Sequence, residues 1–130
     1  MFLTKTKEKR RQLRVKPDKK EPIRIDINGE NFIEILHVYD ISSGGACIIV
    51  PHMFENCKIN KNISVVLTLP EPVKESILVL GKIKHTIRNK FGISFFDLSR
   101  KNKKKIRDYI SSRLEGYPFF TKLMYNLRII

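Results

Sequence analysis

Ile23-Arg24-Ile25-Asp26-Ile27-Asn28-Gly29 is the stretch on which the fold class turns. Isoleucine at every second position, with Arg24 and Asp26 between, is the period-two pattern of a strand with one buried and one wet face. Asn28-Gly29 is the strongest two-residue hairpin signal, because both central positions of a type I′ turn need φ > 0. The return strand is read over residues 30–39, with Phe32, Ile35 and Val38 among its apolar positions. Asp40-Ile41-Ser42-Ser43-Gly44-Gly45 then interrupts it, residues 46–50 form a third strand, and Pro51 stops that one.

Downstream, residues 63–69 read as a fourth strand between Asn60-Lys61-Asn62 and Pro70-Glu71-Pro72. Residues 76–88 are β-like through Ile77, Val79, Ile83 and Ile87, and Asn89-Lys90 is read as the turn into residues 91–96. Short strands at this spacing, with turn signals between them, predict an all-β core closed as a six-stranded antiparallel β-barrel. The period changes after Asp97. Leu98, Ile106, Tyr109, Ile110 and Leu114 recur at helical spacing, with Ser99 as N-cap and Gly116 and Pro118 beyond the end, which predicts a C-terminal α-helix. The expected organisation is a flexible basic arm over 1–20, the barrel over 21–98, and the helix with an apolar and basic tail over 99–130. Residues from 119 onward suit a short second helix.

The 130 residues amount to one domain, with 42% hydrophobic and 30% charged residues. A chain of this size buries roughly two-thirds of its unfolded surface, so a core forms without disulfide staples. Collagen-like, disulfide-scaffold and acidic disordered classes are excluded, and no apolar run approaches the ~20 residues of a membrane span. The net charge of +13 sits at the ends. Residues 1–20 carry nine Lys/Arg against Glu8 and Asp18, and residues 100–130 carry nine against Asp108 and Glu115. Such ends attract nucleic acid, an anionic membrane surface or a phosphorylated ligand, and they also serve simply as solvated, solubilising runs.

Cys47 and Cys57 form no CxxC, and His37, His52 and His85 fall at no metal-ligand spacing, so neither a zinc site nor a cofactor is expected. Cys47, within Ala46-Cys47-Ile48-Ile49-Val50, reads as a small buried hydrophobe. The opening MFLTKTKEKRR lacks an apolar stretch of signal-peptide length, and the expected setting is the reducing cytoplasm. No nucleophile–base pair or phosphate-cradling Gly loop is present, which argues against catalysis.

Two stretches carry chemistry. In Asp40-Ile41-Ser42-Ser43-Gly44-Gly45, a carboxylate, two hydroxyls and two glycines lie between apolar strands. On its own this is a tight turn, with Asp and Ser bonding their own backbone and Gly supplying φ > 0. The same residues supply an acceptor, a donor and close backbone approach to a ligand. In Arg10-Arg11-Gln12-Leu13-Arg14, two arginines four apart sit on the arm. They are either a solvated charge run or planar, bidentate donors to phosphate and to guanine O6 and N7.

Arg10-x-x-x-Arg14 followed 26 positions later by Asp40-x-Ser42-x-x-Gly45 resembles the paired motif of PilZ domains. Phe91-Gly92-Ile93-Ser94-Phe95-Phe96-Asp97-Leu98-Ser99 is similar to that family's last strand running into its helix, and the likeness covers about residues 8–114. The resemblance implies a receptor for the bacterial second messenger cyclic di-GMP. Arg10 and Arg14, with Lys9 and Arg11 beside them, would grip phosphates and guanines. Asp40 would accept from guanine N–H groups, Ser42 would add a hydroxyl, and Gly45 would let the backbone approach. Family members with Arg at the position of Lys9 bind two intercalated ligands, and those with an apolar residue there bind one. Lysine has the charge without the stacking plane, so the stoichiometry is open. The implied mechanism is an arm that folds over the ligand and presents a new surface to a protein partner.

Two other readings stand beside this one. A small β-barrel that binds RNA or single-stranded DNA would use the basic ends and stack bases on Phe32, Phe91, Phe95 or Phe96, although these also read as core. A PilZ-like adaptor would bind a protein and no nucleotide. The Lys101, Lys103, Lys104, Lys105 and Arg107 face suits solvent, a partner, an acidic surface or membrane lipid.

Overall fold

The computed structural model describes residues 12–28, 33–50 and 59–126. Six antiparallel strands, β1 (Arg24–Asn28), β2 (Ile33–Ser42), β3 (Gly45–Ile49), β4 (Asn62–Leu69), β5 (Glu75–Ile87) and β6 (Lys90–Phe96), close into a barrel in the order β1-β2-β3-β6-β5-β4. Two helices follow, α1 (Arg100–Arg113) and α2 (Phe119–Asn126).

The period-two pattern becomes the barrel wall. Ile23, Ile25 and Ile27 point inward and are fully buried, while Arg24 and Asp26 share the outer face. There the Arg24 guanidinium donates to both Asp26 oxygens, at 2.7 and 3.1 Å. On β4, Ile63, Val65, Leu67 and Leu69 are buried in strict alternation, and Ile77, Val79 and Ile83 do the same on β5. Helix α1 plugs the barrel with Ile106, Tyr109, Ile110 and Leu114. It starts where the sequence indicates, the Ser99 hydroxyl accepting from the Asn102 N–H at 3.1 Å.

Two boundaries differ from the sequence reading, and two others meet residues outside the description. The two strands of the hairpin pair, with Asn28 opposite Ile33, and β2 is described from Ile33; Gly29, Phe32 and the turn itself lie outside the described residues. The motif Asp40–Gly45 is not an interruption. Asp40, Ile41 and Ser42 finish β2 and Gly45 opens β3, leaving only Ser43-Gly44 as the turn. A ladder continued this far satisfies the backbone better than an early turn. The β5–β6 turn is Arg88-Asn89, with Arg88 at φ 54°, so Lys90 belongs to β6. The second helix read from residue 119 is present and described over Phe119–Asn126; 127–130 lie outside the described residues.

Candidate functional site

The part of the arm within the described residues is held against β2. Val15 exchanges two backbone hydrogen bonds with Ile41, at 2.9 and 3.0 Å, and its side chain is buried. That bridge sets Arg14 over Asp40, residues 26 apart in sequence, and the guanidinium donates to Asp40 Oδ1 at 2.9 Å. The side chains stay 40% and 19% exposed, so the pair is ligand-accessible and only weakly stabilising. The far side of the arm is held by α1, where Arg113 Nε donates to the Lys16 carbonyl at 3.1 Å.

A β-bulge aims Asp40. Val38 pairs with Ile48 and Asp40 with Cys47, which leaves Tyr39 as the extra residue. An inserted residue lets two consecutive side chains face outward, so Tyr39 and Asp40 both line the outer wall while Val38 and Ile41 point in.

Ser42 has a supporting place. It is 2% exposed and covered by Gln12, whose Oε1 accepts from the Ser42 hydroxyl at 3.4 Å. The Gly44 N–H donates to the same hydroxyl at 3.3 Å, and the Gly45 carbonyl is 3.4 Å from it. These are long, weak bonds, but together they pin the turn. The glycines are explained by space and not by backbone angle, since neither takes a positive φ. A Cβ on Gly45 would run into the Ile93 carbonyl oxygen of β6, and one on Gly44 into the Gln12 amide.

Arg14, Asp40, Ser42 and Gly45 are thus brought together on the outer face of β2 and β3. Lys9, Arg10 and Arg11 lie outside the described residues. Gln12, Lys16, Tyr39 and Lys90 share this face and were not singled out from sequence. Gln12 sits inside the quoted arginine stretch and Tyr39 next to Asp40, whereas Lys90 arrives only through the pairing of β3 with β6. Cys47, on the outer side of β3 between Asp40 and Gly92, has its thiol pKa pushed up by burial and by the Asp40 charge.

A second cationic face lies on α1. Arg100, Lys101, Lys103, Lys104 and Arg107 line a groove with Tyr125 of α2. The first turn of α1 carries no acidic residue, so its cations oppose the helix dipole. Of the phenylalanines read as stacking candidates, Phe91 and Phe95 are buried in the barrel, Phe96 is half-buried, and Phe32 lies outside the described residues. Among the described residues, no three His, Cys, Asp or Glu side chains group as metal ligands, and no helix is long and apolar enough to cross a membrane.

A family model described as "PilZ domain" matches residues 8–112. Among solved structures, the Bacillus subtilis inhibitor of motility (MotI/DgrA) is similar with TM-score 0.71 and 14% identity, over 84% of this chain and 52% of that one. The PilZ domain of YcgR from Escherichia coli, solved with c-di-GMP, gives TM-score 0.70 and 13% identity, over 82% and 92%. The K. pneumonia MrkH–c-di-GMP complex gives 0.72 and 17%, over 82% and 53%. This chain spans about half the length of the MotI and MrkH chains. At such identities the likeness is one of fold. No curated protein sequence matches the chain.

Proposed function

Because the chain belongs to the PilZ domain family, we propose that it is a cytoplasmic receptor for cyclic di-GMP that relays ligand binding to a protein partner and performs no chemical step. The observation that carries the proposal is the meeting of Arg14 and Asp40 on the outer barrel face at 2.9 Å. A ligand with two phosphates and two guanines needs both a fixed cation and an acidic edge reader, and this pair supplies them. In the free protein each neutralises the other. On binding, the guanidinium turns to phosphate or stacks on a base, and Asp40 accepts from guanine N1–H and N2–H. Neither charge is stranded, because the ligand replaces both partners.

Ser42, under Gln12, holds the turn at the height the ligand requires, and Gly45 keeps β3 close to β6. Lys9, Arg10 and Arg11 close over the ligand from the arm, and the covered face is what the partner reads. The fixed point for that closure is Val15, already bonded to Ile41.

Calorimetric titration with cyclic di-GMP at ~150 mM salt, with GTP as competitor, tests the receptor reading. Saturable micromolar or tighter binding, indifferent to GTP, is expected and gives the stoichiometry; no heat and no competition refutes it. Hydrogen exchange tests the relay separately. Slower exchange on saturation is expected in residues 5–14, and an unchanged arm refutes closure while leaving binding intact.

A further inference from the structure

Beyond the two motifs, one cluster on the same face has no part in the reading above. Tyr39 is the bulge residue beside Asp40, Lys16 follows Arg14 by two positions on the arm, and Lys90 is the first residue of β6. The Lys90 ammonium lies 3.7 Å from the Tyr39 ring centroid and that of Lys16 4.8 Å from it. Three separate segments of chain therefore deliver two cations to one aromatic ring.

Neither lysine has a carboxylate within ion-pair distance among the described residues. The hydrogen bond and charge of Lys16, and the charge of Lys90, lower the Tyr39 phenol pKa, while the contact with Tyr39 raises that of Lys16. An exposed ring face offsets only a small part of the repulsion between two ammonium groups. What completes such an arrangement is an anion seated between the lysines, with the acidified phenol donating to it. A planar, dispersed cation would not be needed here, because a lysine binds phosphate as a point charge.

The position identifies which anion. Asp40 adjoins Tyr39 and suits a guanine edge. The anion that arrives with a guanine is a phosphodiester.

We propose that Lys16, Lys90 and Tyr39 form a phosphodiester subsite that extends the ligand face from the arginine motif across β2 to β6. The two ammonium groups contact the non-bridging oxygens, and the Tyr39 hydroxyl donates a hydrogen bond. This assignment rests on the cyclic di-GMP reading and adds to it a route by which β6, at the end of the barrel sequence, senses the ligand.

The test is calorimetry with cyclic di-GMP on wild type, Lys16→Met, Lys90→Met, Lys90→Arg, Tyr39→Phe and Arg14→Ala, each with a thermal midpoint of the free protein. Lys90→Met and Lys16→Met should each weaken binding by about ten-fold or more, the loss expected for a hydrogen bond between charged groups. Tyr39→Phe should cost less, Lys90→Arg should restore most of the affinity, and the salt dependence should flatten in the Met variants. Their midpoints should stay within a few degrees of wild type, because all three side chains lie on the outer wall. Affinities of Lys90→Met and Lys16→Met within two-fold of wild type, with Arg14→Ala losing binding, would overturn the subsite and leave the receptor reading standing. Affinity lost only in step with the midpoint would assign the cluster to holding the arm and also overturn it. No binding by wild type would remove the receptor reading and the subsite together.

Discussion

Replacing Arg14 by Ala separates a ligand residue from a structural one, because the structure gives different magnitudes for the two roles. In the free protein the guanidinium meets Asp40 at 2.9 Å, with the pair 40% and 19% exposed. Exposed pairs of this kind contribute about 0.2–1 kcal/mol, so Arg14→Ala should lower the thermal midpoint by no more than about 4 °C. In the complex the same side chain makes charge-assisted contacts to the ligand, worth about 1.5–3 kcal/mol, a loss of roughly ten-fold to more than a hundred-fold in affinity. The variant also leaves Asp40 unpaired beside a dianionic ligand, which adds to the loss. Asp40→Ala is not symmetrical with it. That change removes the guanine edge reader but frees Arg14 from its competitor, so the affinity should fall less than with Arg14→Ala. Calorimetry of the two single variants and the double variant, with thermal melts of each, reads both terms. A midpoint drop equivalent to about 3 kcal/mol or more in Arg14→Ala, or an affinity unchanged within two-fold, refutes the reasoning. The first outcome would make the pair a fastener of the arm, and the second would take Arg14 out of the site.

Three further outcomes follow from the geometry. Gly45→Ala places a methyl against the Ile93 carbonyl oxygen and forces β3 from β6, at a cost of about 1–3 kcal/mol, read as a midpoint lower by about 4–10 °C; an unchanged melt would show that the strands yield freely. The Tyr109 hydroxyl is buried with no hydrogen-bond partner among the described residues, and burial raises its pKa above 10.0, against the opposing pull of Arg113. The folded state therefore holds that proton more tightly than the unfolded chain, so its contribution to stability is full below the unfolded value and is lost as pH rises through the folded one. Tyr109→Phe should match or exceed wild-type stability at pH 7 and lose less between pH 9 and pH 11, as measured by urea melts across that range. In a Cys57→Ser background, Cys47 should react with iodoacetamide at pH 8 more slowly than a small free thiol, since its raised pKa leaves less thiolate. Asp40→Asn should quicken that reaction, and equal rates in the two proteins would contradict the Asp40 contribution.

All six strands and the capped helix were legible because each rests on a local pattern. Ile23, Ile25 and Ile27 declare their buried face without reference to any other strand, and Ser99 declares its helix through one hydrogen bond three residues away. The meeting of Arg14 with Asp40 was legible only as a resemblance, since nothing in the spacing of two motifs specifies a bridge from Val15 to Ile41. For Gly45, local turn chemistry and the constraint the structure shows are different things. Turn chemistry suggests positive φ, whereas the constraint is the approach of a neighbouring strand whose identity depends on barrel order.

The bulge shows why the remainder of the face was hidden. Strict alternation would have put Tyr39 and Asp40 on opposite sides of β2, one of them inside the barrel. Only the shifted register between β2 and β3 turns both outward, and register is a property of two strands together. Lys90 is further removed from any local signal. It reaches Tyr39 because β3 pairs with β6 in place of β4, and because the β5–β6 turn falls at Arg88-Asn89 instead of one residue later. A one-residue shift of that turn would move Lys90 off the strand and take its ammonium from the Tyr39 ring. The arginine motif and the Asp40 turn are thus recoverable by pattern, while the lysine–tyrosine cluster exists only once the barrel has closed, and Lys90 is the residue on which sequence reading and structure can be told apart by experiment.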